Sequence, residues 1–291
     1  MKRVLIISGK GGTGKTTVSA ALADIAAREM KLVIADADVD AANLELLLEP
    51  RQISSTPFTA GKTAVIDPGL CIACGRCMEV CRFGAVHADG QYAIDPQLCE
   101  GCLACLHQCP AGAIRTEVHQ SGEWFRSTTP YGTLFHANLW PGEENSGKLV
   151  SELVGQAQAE GERTRAGLML VDGPPGIGCP VTAACRSADL AMLVSEPTVS
   201  GRHDLERVLR LTRYFNLPAA LVLNKATLND KARAEMLDFA QSENMELIGE
   251  IPYDEGVMQA LRQAKPLTRS ASPAIQSALE AIWQQLKERI A

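Results

Sequence analysis

Three features of the 291-residue sequence predict an α/β protein: a doubly wound, mostly parallel sheet, interrupted by a small α+β module. Short apolar runs alternate with helix-length amphipathic stretches, the pattern of parallel strands with crossover helices. A glycine-rich turn separates the first run from the first helical stretch. Eight of the ten cysteines crowd between residues 71 and 109.

Residues 4–8 form an apolar, β-branched run, and Val18, Leu22 and Ile25 then recur at helical spacing, so the opening reads strand, loop, helix. Residues 32–35 give a second buried strand ending at Asp36. After Arg51 the pattern breaks into Ser54-Ser55-Thr56-Pro57 and Gly61, which predicts a linker. The cysteine block follows, and residues 117–135 are expected to return the chain through a hairpin turning at Ser121-Gly122. From about His136 the alternation resumes, with strands at 168–171, 190–194, 219–223 and 247–251 and helices near 147–160, 202–215 and 230–243. A last helix carries Ile275, Leu279, Ile282, Leu286 and Ile290 on one face. Its mixed charges and few basic residues favour packing on the core over lying on a membrane.

A composition of 46% hydrophobic and 21% charged residues is ordinary for a soluble protein with a core. A net charge of −6, with no long Lys/Arg run, argues against a nucleic-acid partner. No stretch approaches the roughly 20 apolar residues of a membrane span. The apolar start stops at Gly9-Lys10, too short for a secretion signal. The expected location is the cytoplasm, where disulfides are disfavoured and clustered cysteines point to metal or redox chemistry.

Gly9-Lys10-Gly11-Gly12-Thr13-Gly14-Lys15-Thr16-Thr17 satisfies the P-loop pattern between a strand and a helix. Glycines let backbone N–H groups converge on phosphate oxygens, and the helix N-terminus adds a favourable dipole. Lys15 is expected to reach the β- and γ-phosphates and the Thr16 hydroxyl to hold Mg²⁺. The additional Lys10 resembles the deviant Walker A ATPases, that is MinD, ParA, the nitrogenase iron protein and their relatives. Asp36-Ala37-Asp38 with Asn43 resembles their switch I, and Asp172-Gly173-Pro174-Pro175-Gly176 their Walker B and switch II segment. Asn224-Lys225 stands where the family contacts adenine, and Ile251-Pro252-Tyr253-Asp254 resembles the segment that closes over the base.

This resemblance implies an ATP-binding homodimer in which two subunits sandwich two nucleotides and Lys10 crosses to the partner's phosphates. It also implies that Asp38 orients the attacking water and that Asp172 holds Mg²⁺ through a water. Gly11, Gly12, Thr13, Gly14, Lys15, Thr16, Thr17, Asp172, Gly176, Asn224 and Pro252 are the implied nucleotide contacts, with Lys10, Lys15 and Asp38 catalytic. Asp36 can instead simply shape switch I, and Asn224 can be a strand-end turn residue.

Residues 64–86 and 92–114 repeat at an offset of 28, so Cys71, Cys74, Cys77 and Cys81 match Cys99, Cys102, Cys105 and Cys109. Two copies of one unit too small for its own core suggest a pseudo-symmetric module. Each copy has the Cys-x₂-Cys-x₂-Cys-x₃-Cys spacing of bacterial ferredoxins, in which the fourth cysteine ligates the other cluster. Cys71, Cys74, Cys77 and Cys109 are therefore assigned to one [4Fe–4S] cluster, and Cys99, Cys102, Cys105 and Cys81 to the other. Zinc ribbons also pair Cys-x₂-Cys, but they need four ligands per ion and rarely show a third cysteine in this register. Pro110 follows the last cysteine of the second repeat, whereas Arg82 takes that place in the first and changes the charge there.

The predicted organisation is a P-loop ATPase domain, 1–62 and 117–291, with a ferredoxin-like domain, 63–116, inserted between the two switches. The combination resembles MinD-superfamily ATPases with an inserted ferredoxin domain. Cys179, at an offset where the nitrogenase iron protein has a cluster ligand, reads as a buried thiol beside Pro180. The loop at 141–147 offers no second cysteine for a bridging cluster, and Cys185 reads as structural. Polar density at 143–148 makes that loop a candidate contact site.

The expected function is ATP-switched electron transfer to a redox partner. The alternatives are a maturation factor that delivers a cluster or metal to an apo-metalloprotein, or a MinD/ParA-like positioning ATPase with a redox sensor. Full four-cysteine ligation favours electron transfer, since a carrier needs a labile site. No basic amphipathic helix is expected beyond the last packing helix.

Overall fold

Strands that are apolar on every residue have no face to give to water, so helices must cover both sides of their sheet. Val4, Leu5, Ile6 and Ile7 are each fully buried, and residues 32–36 are buried throughout. The computed structural model describes residues 1–143 and 146–290. Its elements are β1 (Lys2–Ser8), α1 (Lys15–Ala26), β2 (Leu32–Asp36), α2 (Glu45–Leu48), β3 (Arg51–Ile66), α3 (Arg76–Val80), β4 (Val86–Ala88), β5 (Tyr92–Ile94) and α4 (Ala104–Gln108). They continue with β6 (Ile114–Thr129), β7 (Gly132–Leu139), α5 (Ser146–Thr164), β8 (Leu168–Pro175), α6 (Cys179–Cys185), β9 (Leu190–Ser195) and α7 (Val199–Tyr214). Last come β10 (Ala219–Leu223), α8 (Asp230–Ser242), β11 (Glu246–Glu250), α9 (Gly256–Leu261), α10 (Leu267–Ser270) and α11 (Pro273–Ile290).

Nine strands form one sheet in the order β11-β10-β9-β1-β8-β2-β7-β6-β3. The pairs from β11 across to β7 are parallel. The order reverses at β1: the chain leaves it for β2 on one side and later adds β9 on the other. Ligands of open α/β sheets bind beyond the carboxyl ends of the strands at such a point. Parallel register brings Asp36 at the end of β2 beside Asp172 of β8.

The predicted strands and helices of the α/β part appear within a few residues of their expected ends. Two expectations are corrected. Residues 54–61 are not a linker but the middle of β3, which is tolerable for Pro57 because β3 is the sheet's edge and its missing N–H breaks no inner ladder. The hairpin turns not at Ser121-Gly122 but at Pro130-Tyr131, between β6 and β7. Ser121 lies within β6, fully buried, where its hydroxyl accepts the Gly61 N–H at 2.9 Å. The predicted contact loop at 143–148 includes Glu144 and Asn145, which lie outside the described residues; from Ser146 the chain is already helix α5.

The chain divides into two compact units: Met1–Thr56, Glu123–Leu139 and Ser146–Ala291 in the first, Pro57–Gly122 and Trp140–Asn145 in the second. Two of the divisions thus fall inside β3 and β6. In the first unit, Val4 and Ile6 of β1 share a core with Leu22 of α1 and with α11. The predicted apolar face of α11 is buried at Ile275, Leu279, Ile282, Leu286 and Ile290, and Trp283 joins it at 0% exposure. No helix among the described residues is long and apolar enough to cross a membrane.

The second unit shows its repeat in three dimensions. α3 and α4 occupy equivalent positions in the two copies. The Asp67 N–H donates to Ala113 O, and the equivalent Asp95 N–H donates to Ala85 O, so each copy closes on the other. Three left-handed backbone positions also recur: Ala73 with Gly101, Gly75 with Leu103, and Gly84 with Gly112. At Gly101 a Cβ would run into the Lys62 carbonyl, so only glycine fits.

Trp283 fills the α11 core and donates its indole N–H to Glu29 Oε1 at 3.1 Å. Trp283→Ala should cost about 3–5 kcal/mol in urea unfolding. Trp283→Phe should cost clearly less, because Glu29 can turn to water and leave no buried acceptor unpaired.

Candidate functional site

The turn after β1 has Gly12 and Gly14 in the left-handed region, with φ of 79° and 90°. A Cβ on Gly14 would strike the Asn224 amide. That amide donates to Thr13 O at 2.7 Å, and Lys225 Nζ donates to Gly12 O at 3.2 Å. Two successive loop carbonyls are thereby held from the end of β10. In a trans peptide the N–H points away from its carbonyl, so the Thr13 and Gly14 N–H groups are left to face the opposite side. Thr13 Oγ1 is buried and finds no hydrogen-bond partner among the described residues.

Beneath the loop, Asp172 is 1% exposed and accepts three hydrogen bonds: from Lys15 Nζ at 3.0 Å, Thr16 Oγ1 at 2.6 Å and Ser19 Oγ at 2.8 Å. Asp38 Oδ2 lies 3.9 Å from Lys15 Nζ. Burial works against the Lys15 charge, but Asp172, Asp36 and Asp38 outweigh it and raise its pKa. Burial, then the Asp172 charge, push Asp36 up to about 7, even though it accepts backbone N–H groups from Asp38, Asn43 and Leu44. Burial likewise raises Asp38.

A cleft of about 1380 Å³ opens over this loop, lined by Gly11–Val18, Asp38, Asn43, Asn224, Pro252 and Tyr253, with apolar walls from α2, α9 and α11. Of the sequence-predicted contacts, Gly11, Gly12, Thr13, Gly14, Lys15, Thr16, Thr17, Asn224 and Pro252 line it. Asp172 lies below, and Gly176 stands aside with its N–H given to Ser8 O at 2.9 Å. Lys10 points along the surface to Glu196 Oε1 at 2.7 Å.

In the second unit the cysteines surround two cavities. Cys71, Cys74 and Cys77 line one together with Cys109; Cys99, Cys102 and Cys105 line the other together with Cys81. Each cavity thus takes three thiols from one repeat and one from the other. All ten cysteines are free thiols. Burial opposes the Cys81 thiolate, but N–H groups of Phe83, Ala85, Val86 and Gly84 converge on it and lower its pKa overall. Burial raises Cys77 and Cys105, which hold the third place in their respective repeats. Among the described residues, no group of three or more His, Cys, Asp and Glu side chains is arranged to hold a single metal ion.

Residues 4–267 match the CobQ/CobB/MinD/ParA nucleotide binding domain. The chain belongs to that family. Its members hydrolyse ATP, and this MinD/ParA-type protein is an ATPase. The uncharacterized protein MJ0578 of Methanocaldococcus jannaschii is 31% identical over 288 residues, 99% of this chain and 97% of its own length. The uncharacterized ATP-binding protein MJ0547 of the same organism is 25% identical, over 95% of this chain and 84% of its own. Among solved structures, the septum site-determining protein MinD of Pyrococcus horikoshii with Mg-ADP has the same fold. It superposes with a TM-score of 0.61 at 18% identity, over 100% of this chain and 98% of its own.

In this ATPase, Cys179 corrects the sequence reading: it is exposed rather than buried, at the first position of α6, while Cys185 is buried and its thiol is pushed up to about 11. Sequence reasoning missed Ser19 and Glu196. Ser19 stands one helical turn after Lys15, on the same face, and Glu196 directly follows β9 at the carboxyl end of the sheet. Both positions were available signals.

Asp36 makes folding stability sensitive to pH. The folded protein keeps a proton on it up to about pH 7, whereas the unfolded chain releases it near 3.8. Stability should therefore fall as pH rises through this window, by at most about 1.4 kcal/mol per pH unit. Urea unfolding without nucleotide from pH 5 to 8 should show this component in the natural protein and its absence in Asp36→Asn; equal slopes would refute it.

Proposed function

We propose that this ATPase is a nucleotide-switched homodimer that couples ATP to electron transfer through two [4Fe–4S] clusters. The observation that carries the reading is the lining of the two cysteine cavities, each a full set of four thiols interleaved between repeats. A single zinc ion would draw four sulfurs to about 2.3 Å from one point. These thiols instead ring a space, as a cube of iron and sulfide requires. The donor set fits the group. The clusters, when bound, supply one-electron chemistry. The protein contributes eight thiolates and backbone N–H groups aimed at the sulfurs, such as Ala113 N–H on Cys109 Sγ at 3.3 Å and Ala64 N–H on Cys99 Sγ at 3.5 Å.

In the first unit, Lys15 and the Thr13 and Gly14 N–H groups would grip phosphate, while Thr16 and Asp172 would hold Mg²⁺, Asp172 through a water. The donor set fits here too: a hydroxyl and a carboxylate lie together beside the lysine, and the loop N–H groups face outward. Asp38, near Lys15 at the mouth of the cleft, would orient the attacking water. Lys10 would reach the phosphates of a second copy. Asn224 would serve the site chiefly by holding the Thr13 carbonyl, with Pro252 closing over the base.

Chain connectivity supports the coupling. The segment from Asp36 to Leu44, which senses the nucleotide in this reading, leads through α2 into β3. The chain returns along β6 and β7, where His136 pairs with Asp36 in register and its Nδ1 lies 2.9 Å from Glu45 of α2. A second reading, a MinD/ParA-like positioning ATPase with a redox sensor, draws on the likeness to MinD, including a chloroplastic MinD homolog of Arabidopsis thaliana that is 24% identical over 98% of this chain. In it the eight cysteines would serve as the sensor.

Anaerobically purified protein should carry about eight iron and eight sulfide per chain. Cys99→Ser and Cys81→Ser should perturb the same cluster in electron paramagnetic resonance; stoichiometric zinc, or effects on different clusters, would end the cluster assignment. Coupling requires that ATP and ADP states present the clusters differently, and linkage then makes the effect reciprocal. Asp38→Ala, held with ATP, should differ from the ADP form in at least one cluster potential, and cluster reduction should change ATP affinity. Potentials and affinities that both stay fixed would refute coupling, while leaving the cluster assignment intact.

A further inference from the structure

Glu196 is buried at 9% exposure and holds two lysines at once. Its Oε1 pairs with Lys10 Nζ at 2.7 Å and its Oε2 with Lys225 Nζ at 2.7 Å. Burial opposes its charge, but the two lysines outweigh this and keep it a carboxylate. Lys10 Nζ also donates to Ser200 Oγ at 2.9 Å in the first turn of α7. Lys225 continues to the Gly12 carbonyl. The loop approaches α7 so closely at Gly9 that a Cβ there would collide with the Asp204 backbone. Lys10 is thus folded back onto its own subunit, beside Val199, an apolar side chain that is 86% exposed.

We infer that Glu196, with Ser200, is a latch that holds Lys10 within its own subunit and sets the threshold for nucleotide-dependent dimerisation. This rests on the proposal that Lys10 crosses to a second copy. Lys10 cannot donate to a partner's phosphate while its ammonium is shared between Glu196 and Ser200. Leaving costs the subunit that ion pair, which only the charge of a triphosphate opposite can replace. ADP, one phosphate shorter, offers less, so the latch adds to the contrast between the two nucleotides. Glu196 keeps Lys225 after Lys10 leaves, so the buried carboxylate is never left unpaired and the Gly12 carbonyl stays held. Glu196 is therefore a positioning residue that acts through Lys10.

The test measures monomer–dimer dissociation constants by sedimentation in saturating ATP and in saturating ADP. Asp38→Ala serves as the background, to limit turnover. Glu196→Gln should tighten the ATP dimer about fivefold to tenfold, because each of the two latches in the dimer contributes about twofold to threefold, within the range of a partly exposed ion pair, and should make an ADP dimer detectable. Ser200→Ala leaves Lys225 and the phosphate loop untouched, and should shift both constants in the same direction by a smaller factor. A merely structural role for either residue predicts a weaker dimer, so tightening by both substitutions is the result that identifies the latch. If Lys10→Ala abolishes the dimer but both substitutions leave it unchanged or weaken it, the latch is refuted and the sandwich stands. If Lys10→Ala dimerises like the natural protein, the crossing lysine fails and the latch with it.

Discussion

The nucleotide site depends on one carboxylate. Asp172 sits at the carboxyl end of a central strand, almost without exposure, and accepts hydrogen bonds from Lys15, Thr16 and Ser19. A buried charge persists only when it is paired and fully hydrogen-bonded, and all three donors come from the first turns of α1. The same bonds therefore fix where that helix begins relative to the sheet, and the helix start is what the glycine loop must reach. Asp36 is placed beside Asp172 by strand register, and the crowding of carboxylates around Lys15 follows from topology rather than from any local sequence preference.

Three carboxylates around one ammonium leave excess negative charge in a site that would receive a polyphosphate. The raised Asp36 relieves part of it by holding a proton. A divalent cation accompanying the nucleotide would relieve more, and in the proposed function the Thr16–Asp172 pair would supply oxygen ligands to it. Lys10 and Lys225 lie farther out, neutralised in part by Glu196. Positive charge is thus deep and fixed at Lys15 but releasable at the rim.

Much of this was legible in the sequence, because the informative signals are local. The glycine-rich turn names its own backbone conformation, and continuous apolar runs identify strands covered on both faces. The cysteine repeat shows in the sequence as an offset of 28 residues, and its symmetry returns in the paired turns of the second unit. What local signals missed was decided by neighbours in space. Pro57 and Gly61 read as breakers, yet β3 runs through them because an edge strand tolerates both. Ser121-Gly122 reads as a turn, yet Ser121 is buried by its bond to Gly61, 60 residues away. Glu196 lacks any motif, and its meaning appears only when β9 brings it beside two lysines from other segments. Trp283 was absent from the predicted stripe of α11 although it lies one position from Ile282.

The edge position of β3 carries a consequence for how the molecule behaves in a crowded solution. A long strand at the edge of a sheet invites another chain to extend it, and such edges seed aggregates. β3 is 16 residues long, and its first five side chains are all exposed. Pro57 stands near the middle of that strand, and proline on an edge strand is one of the features that blunt strand addition. The residue that disguises β3 as a linker in the sequence thus guards it against runaway self-association, and replacing it with a β-branched residue would trade solubility for a more regular strand.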